Sequence, residues 1–344
     1  MNFLRWIATW RNPVLDAVFG ALTYAGGEVV FIVAALVVLW CVDKKRGYYL
    51  LFCGFFGLVT VQILKMAFRI PRPWVLDPAF QIVENARAGA TGYSFPSGHT
   101  QTAVTLFGGL AVSSRRKAVK IGGWVACALV AFSRMYLGVH TPLDVGVSFA
   151  VGVCVVLATK YLTRCADRTR GGLWWFFGAA LALTLGNLLF VELYAFPADV
   201  DMTNYTDAVK VAWQILGMVL GLAVAYAADR YKTRYRTEAV WWGQLLKVAL
   251  GLGLMLGLRA VLKAPLNALL GLRAGVCVRY FIMVALPASA LPFLFRFLPR
   301  GRTRGGFLKR SSASLPAVAL QLPPSGLPKN FHPNKRSANI VPYP

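Results

Sequence analysis

Apolar residues run through this chain in blocks, with polar and basic residues gathered between them. Nine blocks approach the roughly 20 residues that a helix needs to cross a bilayer. They cover about 27–42, 48–68, 98–114, 121–138, 142–162, 172–194, 211–227, 241–262 and 277–298. The first is short unless it reaches back through 18–26. The pattern predicts an all-α, polytopic membrane helical bundle of about nine transmembrane helices.

The loops between the blocks alternate in charge. Asp43-Lys44-Lys45-Arg46 follows the first block and Arg115-Arg116-Lys117 with Lys120 follows the third. Lys160, Arg164, Arg168 and Arg170 follow the fifth, Arg230, Lys232, Arg234 and Arg236 the seventh, and Arg300, Arg302 and Arg304 the ninth. The intervening loops are poorer in basic residues, and 196–209 contains Asp199, Asp201 and Asp207 with no Lys or Arg. Basic loops remain in the cytoplasm. The expected orientation is therefore N-terminus outside and C-terminus inside, in the cell membrane.

Composition agrees with this partition. The chain of 344 residues is 57% hydrophobic with a formal charge of +24, and soluble domains are about 45–50% apolar. Such a charge often signals nucleic acid, but here it sits in short clusters between spans, so no nucleic-acid partner is expected. Cys41, Cys53, Cys127, Cys154, Cys165 and Cys277 lie in or beside apolar blocks without CxxC spacing; they read as small core residues. Residues 1–26 alternate Trp, Arg and aliphatics and are broken by Pro13, which suits a helix lying at the interface better than a secretory leader. Residues 299–344 are rich in Pro, Ser, Lys and Arg and lack Asp and Glu. They read as a disordered basic cytoplasmic tail.

Three segments carry candidate chemistry, and the charge alternation places all three at outer ends of spans. Lys65 lies near the end of the second block, and Pro71 and Pro73 then hold Arg72 in non-helical backbone. An ammonium and a planar guanidinium both suit phosphate oxygens. Tyr93-Ser94-Phe95-Pro96-Ser97-Gly98-His99 opens the third block. Ser97 is a candidate helix cap, Gly98 permits close backbone approach, and the exposed N–H groups of a helix start attract anions. His99, in the first turn, is a candidate general acid. Ser133-Arg134 ends the fourth block, and His140-Thr141-Pro142-Leu143-Asp144 opens the fifth. Thr141 reads as a cap with Pro142 at the first helical position. Asp144 then falls where it can reach back to His140 and orient it as a nucleophile or base, although a capping-box acid is the plain alternative. One pocket holding Lys65, Arg72, Arg134 and two histidines suits a phosphate. No further cluster of carboxylates or histidines is available for a two-metal site.

These residues resemble the type 2 phosphatidic acid phosphatase superfamily. Lys65 to Arg72-Pro73 is similar to its K-x6-R-P motif, Pro96-Ser97-Gly98-His99 to its P-S-G-H motif, and Ser133-Arg134 through His140 to Asp144 to its S-R-x5-H-x3-D motif. The resemblance covers about residues 50–165. It implies phosphoryl transfer without metal or cofactor: His140 attacks phosphorus, Asp144 orients it, and His99 protonates the leaving oxygen. Lys65, Arg72, Ser97, the Gly98 N–H and Arg134 hold the phosphoryl oxygens. The expected organisation is an interfacial segment (1–26), a five-span phosphatase core (27–165), a four-span extension (166–298) and the tail (299–344). Soluble vanadium haloperoxidases share the motifs, but the spanning architecture speaks for a membrane lipid phosphate as substrate. Undecaprenyl diphosphate comes first, with phosphatidic acid or phosphatidylglycerophosphate close behind. A lipid phosphotransferase using the same residues, or a non-enzymatic transporter, are the competing expectations.

Overall fold

The computed structural model describes residues 1–299 except Asp167 and Arg170. Apart from Pro299, the basic tail expected over 299–344 lies outside the described residues. Among the described residues every regular element is helical. Two short helices, α1 (Asn2–Ala8) and α2 (Pro13–Tyr24), precede α3 (Glu28–Val37), which runs on through a π turn over Val38–Val42. Next come α4 (Lys44–Phe68), the single turn α5 (Pro73–Leu76), and a helical run made of α6 (Gly98–Ala103), a π turn (Val104–Gly108) and α7 (Gly109–Ser113). The long helices α8 (Lys117–Tyr136), α9 (Pro142–Ala166), α10 (Trp174–Leu193), α11 (Met202–Ala228) and α12 (Trp241–Phe295) complete the chain.

The starts of these helices follow local chemistry. Asn12 accepts from the Leu15 N–H at 3.0 Å with Pro13 in the first helical position, and Asp43 accepts from the Arg46 N–H at 3.0 Å. Asp201 accepts from the Asn204 N–H at 2.7 Å. Each side chain satisfies one of the amide donors that a helix start leaves free.

Six helices among the described residues are long and apolar enough to cross a membrane, or seven if one bent pair is a single span. The protein is thus a multi-pass membrane protein. Three features separate this number from the sequence reading. The first expected span is the bent pair α2 and α3–π, broken by 49° at Ala25-Gly26-Gly27. The third runs only from Gly98 to Ser113 and is too short for the roughly 20-residue requirement. The eighth and ninth are two helices that meet at a kink, Gly271 at φ 73° and ψ 175°, and they count as one within α12.

The N-terminal helices are part of the packed body. Leu4 and Ile7 are fully buried against Tyr136, Leu137, Val139 and Phe80, whereas Phe3, Trp6 and Trp10 are exposed. The α10–α12 extension is joined to the core by a shared apolar cluster in which Trp40, Phe52, Phe55 and Val59 meet Phe177, Ile215, Val219 and Phe295. At one end Lys44 pairs with Asp229 at 2.5 Å, and the buried Lys247 donates to the carbonyls of Trp40 and Thr237. At the other end Met66 and Tyr93 pack against Leu188, Val191, Ala208 and Ala212. The six cysteines are unpaired. Cys53 and Cys127 are buried as expected, but Cys154 is exposed on the outside of α9, because its position on that helix faces away from the bundle.

Within the extension, α11 and α12 pack backbone to backbone. A Cβ at Gly217 would lie 2.2 Å from the Cys277 carbonyl oxygen, and one at Gly221 2.8 Å from that of Phe281. Small residues allow this approach in the absence of a hydrophobic driving force between spans. Gly217→Ala is expected to push the helices apart at a cost of about 1–3 kcal/mol. Thermal unfolding in detergent checks this, and an unchanged midpoint would mean that the two helices do not meet here.

Candidate active site

The site is assembled from helix ends, and each end is fixed by its own local geometry. Helix α4 stops at Arg69, whose left-handed backbone (φ 52°) lets its N–H bond to the Lys65 carbonyl at 2.9 Å. Pro71 and Pro73 then keep the chain extended, so that Arg72 becomes the N-cap of α5. Ser97 caps α6: its hydroxyl accepts from the Thr100 N–H at 3.4 Å and from the Thr100 hydroxyl at 3.0 Å. Gly138, at φ +79°, turns the chain out of α8 and into the segment that carries His140. A side chain there would be strained and would strike Arg11 and Phe80.

Helix α9 begins with a complete capping box. The Asp144 N–H donates to the Thr141 hydroxyl at 3.2 Å, and Asp144 Oδ2 accepts from the Thr141 N–H at 2.8 Å. The same Oδ2 accepts from the Ser94 hydroxyl at 2.6 Å and lies 3.5 Å from His140 Nδ1. That last separation is longer than a hydrogen bond, and Nδ1 has no hydrogen-bond partner. The Asp144 carbonyl also accepts from the Ser97 N–H at 3.2 Å, which ties the two helix starts together.

The positive charges are held by backbone oxygens. Arg72 donates from Nε to Gly92, from Nη2 to Thr91 and from Nη1 to Val139, at 3.0, 2.7 and 3.0 Å. Its Nη1 also lies 2.9 Å from His140 Nε2. A guanidinium only donates, so Nε2 must present its lone pair. The neutral imidazole therefore carries its proton on Nδ1, on the side of Asp144. Lys65 donates to the Tyr93 carbonyl. Arg134 donates from Nη1 to the Thr23 hydroxyl at 2.7 Å, while its Nε and Nη2 are buried without partners.

Lys65, Arg72, Ser97, Arg134, His140 and Asp144 are all buried, and Gly98 and His99 are half-buried. Burial, with the neighbouring charges of Arg72, Arg134 and Lys65, holds the His140 imidazole well below the ordinary histidine value. It is thus neutral at pH 7, the form that can attack an electrophile. Every residue selected from the sequence falls in this one region. Glu192, which also lies near a helix end, belongs elsewhere: it accepts from Trp213 Nε1 at 2.8 Å and pairs with Arg273 at 2.8 Å within the extension.

Two residues that bind the site together were not selected from the sequence. Ser94 carries a signal of a kind, since it stands two residues before Pro96 and is a small polar residue in an otherwise aromatic stretch. Thr23 carries none, because its partner lies 111 positions away.

Residues 46–167 match the PAP2 superfamily model, and residues 213–302 match the model described as PAP2 superfamily phosphatase, transmembrane extension. The chain belongs to the PAP2 superfamily. The first match contains all of Lys65, Arg72, Ser97, Gly98, His99, Arg134, His140 and Asp144, so the PAP2 domain and the site described above coincide. The second covers much of α11 and α12. Among curated relatives, a probable sphingosine-1-phosphate phosphatase of Dictyostelium discoideum is 32% identical over 46% of this chain and 41% of its own length. The undecaprenyl-diphosphatase BcrC of Bacillus subtilis is 28% identical over 42% of this chain and 73% of its own. The chain thus spans less than half of the first relative and about three quarters of the second. A crystal structure of Aquifex aeolicus LpxE shares 27% identity over 46% of this chain and 93% of that one, at a TM-score of 0.40.

A pocket with buried cationic nitrogens lacking partners is expected to bind an oxyanion in the absence of any lipid. Inorganic phosphate should raise the unfolding midpoint of the wild-type protein in a concentration-dependent way. Arg134→Leu should remove most of that protection. Equal midpoints with and without phosphate in the wild type would show that the anion does not enter.

Proposed function

We propose that this protein is a membrane lipid phosphatase that works through a phosphohistidine at His140, without a metal. The observation that carries the proposal is a pairing in one buried space: an imidazole whose Nε2 presents its lone pair to Arg72 Nη1, among the cations that a phosphate would meet, and two guanidinium nitrogens of Arg134 with nothing to bind. In the first step Nε2 attacks phosphorus, and the bond from phosphorus to the lipid oxygen breaks. His99, protonated once the substrate's negative charge lies among the cations, gives that oxygen a proton. Arg72, Arg134, Lys65 and the N–H groups at the start of α6 take the phosphoryl oxygens, and Arg72 Nη1 moves from Nε2 to one of them. Asp144 accepts the positive charge that grows on the imidazole through Nδ1–H. In the second step water, losing a proton to His99, attacks phosphorus, and the P–N bond breaks to release phosphate. Positioning and charge stabilisation supply most of the catalysis in such transfers.

A substrate whose phosphate sits at the bilayer surface fits a site built at the ends of spanning helices. Polyprenyl diphosphate is the first candidate, in line with the activity named for the Bacillus relative, and the sphingosine-1-phosphate of the Dictyostelium relative is a lipid monoester of the same type. Phosphatidic acid and phosphatidylglycerophosphate follow. The alternation of basic loops supports nine spans, four of them after the core, with the site on the extracytoplasmic face.

The deciding experiment is phosphate release by purified wild type and His140→Ala, in EDTA, from undecaprenyl diphosphate, phosphatidic acid and phosphatidylglycerophosphate. Release that survives EDTA and vanishes in the variant is the expected result. Release by the variant would remove His140 from the role of nucleophile. A wild type that moves the phosphoryl group to another lipid instead of water would be a phosphotransferase. Truncation of Lys65, Arg72 or Arg134 should each slow turnover by about 10²–10³-fold, and normal turnover in all three would show that the pocket is elsewhere.

A further inference from the structure

The N-terminal residues precede the PAP2 domain match, which begins at residue 46. They nonetheless reach the site, or the segments that carry it, at four places. Arg134 Nη1 donates to the hydroxyl of Thr23, the penultimate residue of α2, at 2.7 Å. Arg11 donates to the carbonyls of Tyr136 and Gln81 at 3.1 and 2.6 Å. Those residues flank, on either side, the packed segments that lead to His140 and away from Arg72. Asp16 accepts from the Tyr136 hydroxyl at 2.7 Å. At the break between α2 and α3, a Cβ on Gly26 would lie 2.7 Å from the His99 carbonyl oxygen, so this bend lies directly against the first turn of α6.

We propose that residues 1–27 complete the active site, and that Thr23 is the positioning residue that sets the Arg134 guanidinium for its phosphate. The inference rests on the phosphatase reading given above. Arg134 is 1% exposed and Thr23 7%, so water does not readily replace the Thr23 hydroxyl. Among the described residues Thr23 is the sole hydrogen-bond partner of that guanidinium. With one nitrogen anchored, the planar group can turn only about that contact, and its remaining two nitrogens keep a defined direction. Phosphoryl transfer depends on such direction, because a misplacement of about 1 Å can cost about 10²-fold in rate. The bent entry of α2 into α3 follows from the same demand. A side chain at Gly26 would strike Val130 of α8 and the carbonyl of His99.

Thr23→Val removes the hydroxyl and keeps the shape, whereas Thr23→Ser keeps the hydroxyl. With the lipid substrate that the wild type hydrolyses, Thr23→Val should lower kcat/KM by about tenfold or more, the range for a hydrogen bond to a buried charge. The inhibition constant for inorganic phosphate should rise by a similar factor. Thr23→Ser should recover most of both. In an Arg134→Leu background Thr23→Val should add nothing further. Wild-type kcat/KM and phosphate inhibition in Thr23→Val would overturn the proposal. So would equal losses in the Val and Ser variants together with a lowered midpoint, which is the behaviour of a packing residue. If Thr23→Val does not fold, Thr23→Ala is held to the same criteria. If the wild type hydrolyses no lipid phosphate, the phosphatase reading fails separately. Protection against thermal unfolding by inorganic phosphate then decides: weaker protection in Thr23→Val supports the positioning role, and unchanged protection overturns it.

Discussion

Three cations share one buried space with a single carboxylate, and the rest of the site is arranged around that imbalance. Lys65, Arg72 and Arg134 stand against Asp144, with His140 neutral, so basic groups outnumber acidic ones where water is scarce. Unpaired buried charge is costly by several kcal/mol per ion. Part of the cost is met by backbone oxygens: Thr91, Gly92 and Val139 accept from Arg72, and Tyr93 accepts from Lys65. Those carbonyls are free to do so because the 70–97 segment is largely irregular and its C=O groups are not engaged in a helix. What remains uncompensated sits on Arg134. In the proposed function a substrate phosphate brings the negative charge that Arg134 lacks, and so completes the electrostatics of the site as well as its chemistry.

The same constraint explains why the sequence was readable where it was. Lys65, Arg72, Ser97, His99, Arg134, His140 and Asp144 all stand at helix ends, and helix ends are written locally. Pro71 and Pro73 exclude helix, and Ser97 and Thr141 cap. Each of these is a statement about a few neighbouring residues. The span count was harder for a related reason. Hydropathy registers length and apolarity, but not the bend at Ala25-Gly26-Gly27, nor the shortness of the 98–113 run. That run survives as a short helical segment because its neighbours cover it: Val104 and Leu106 are fully buried, and Gly57 and Gly152 face Gln101 closely. A segment enclosed by protein does not have to span the bilayer on its own strength.

Contacts between distant segments were not legible. Thr23 with Arg134, Asp16 with Tyr136 and Arg11 with Gln81 join positions from 70 to 120 residues apart. Nothing about a lone Thr in a short helix announces such a partner. The N-terminal segment reads as interfacial because Phe3, Trp6 and Trp10 dominate its composition, and these three are indeed exposed. The residues that matter for packing are the two that alternate with them, Leu4 and Ile7. An amphipathic helix can face both ways, and composition alone does not say which face has found a partner.

Asp144 shows why the plain and the functional readings of one residue need not compete. As a capping-box acid it accepts from the Thr141 N–H, and this fixes its carboxylate relative to the axis of α9. As the orienting acid of the proposed mechanism it must hold a defined position beside His140 Nδ1, which lies 3.5 Å away. The first role supplies the rigidity that the second requires. Ser94 adds a further donor to the same oxygen and ties α9 to the loop before α6. A carboxylate with two donors already in place on one oxygen cannot swing freely, yet it still has acceptor capacity as positive charge develops on the imidazole. The structural bonds of Asp144 thus suit the proposed mechanism: the carboxylate is held just out of hydrogen-bond range of Nδ1, where a small closure on phosphorylation of His140 would bring the two together. The contact would then be strongest in the charged state of that mechanism, which is the condition for accelerating a step instead of merely binding its substrate.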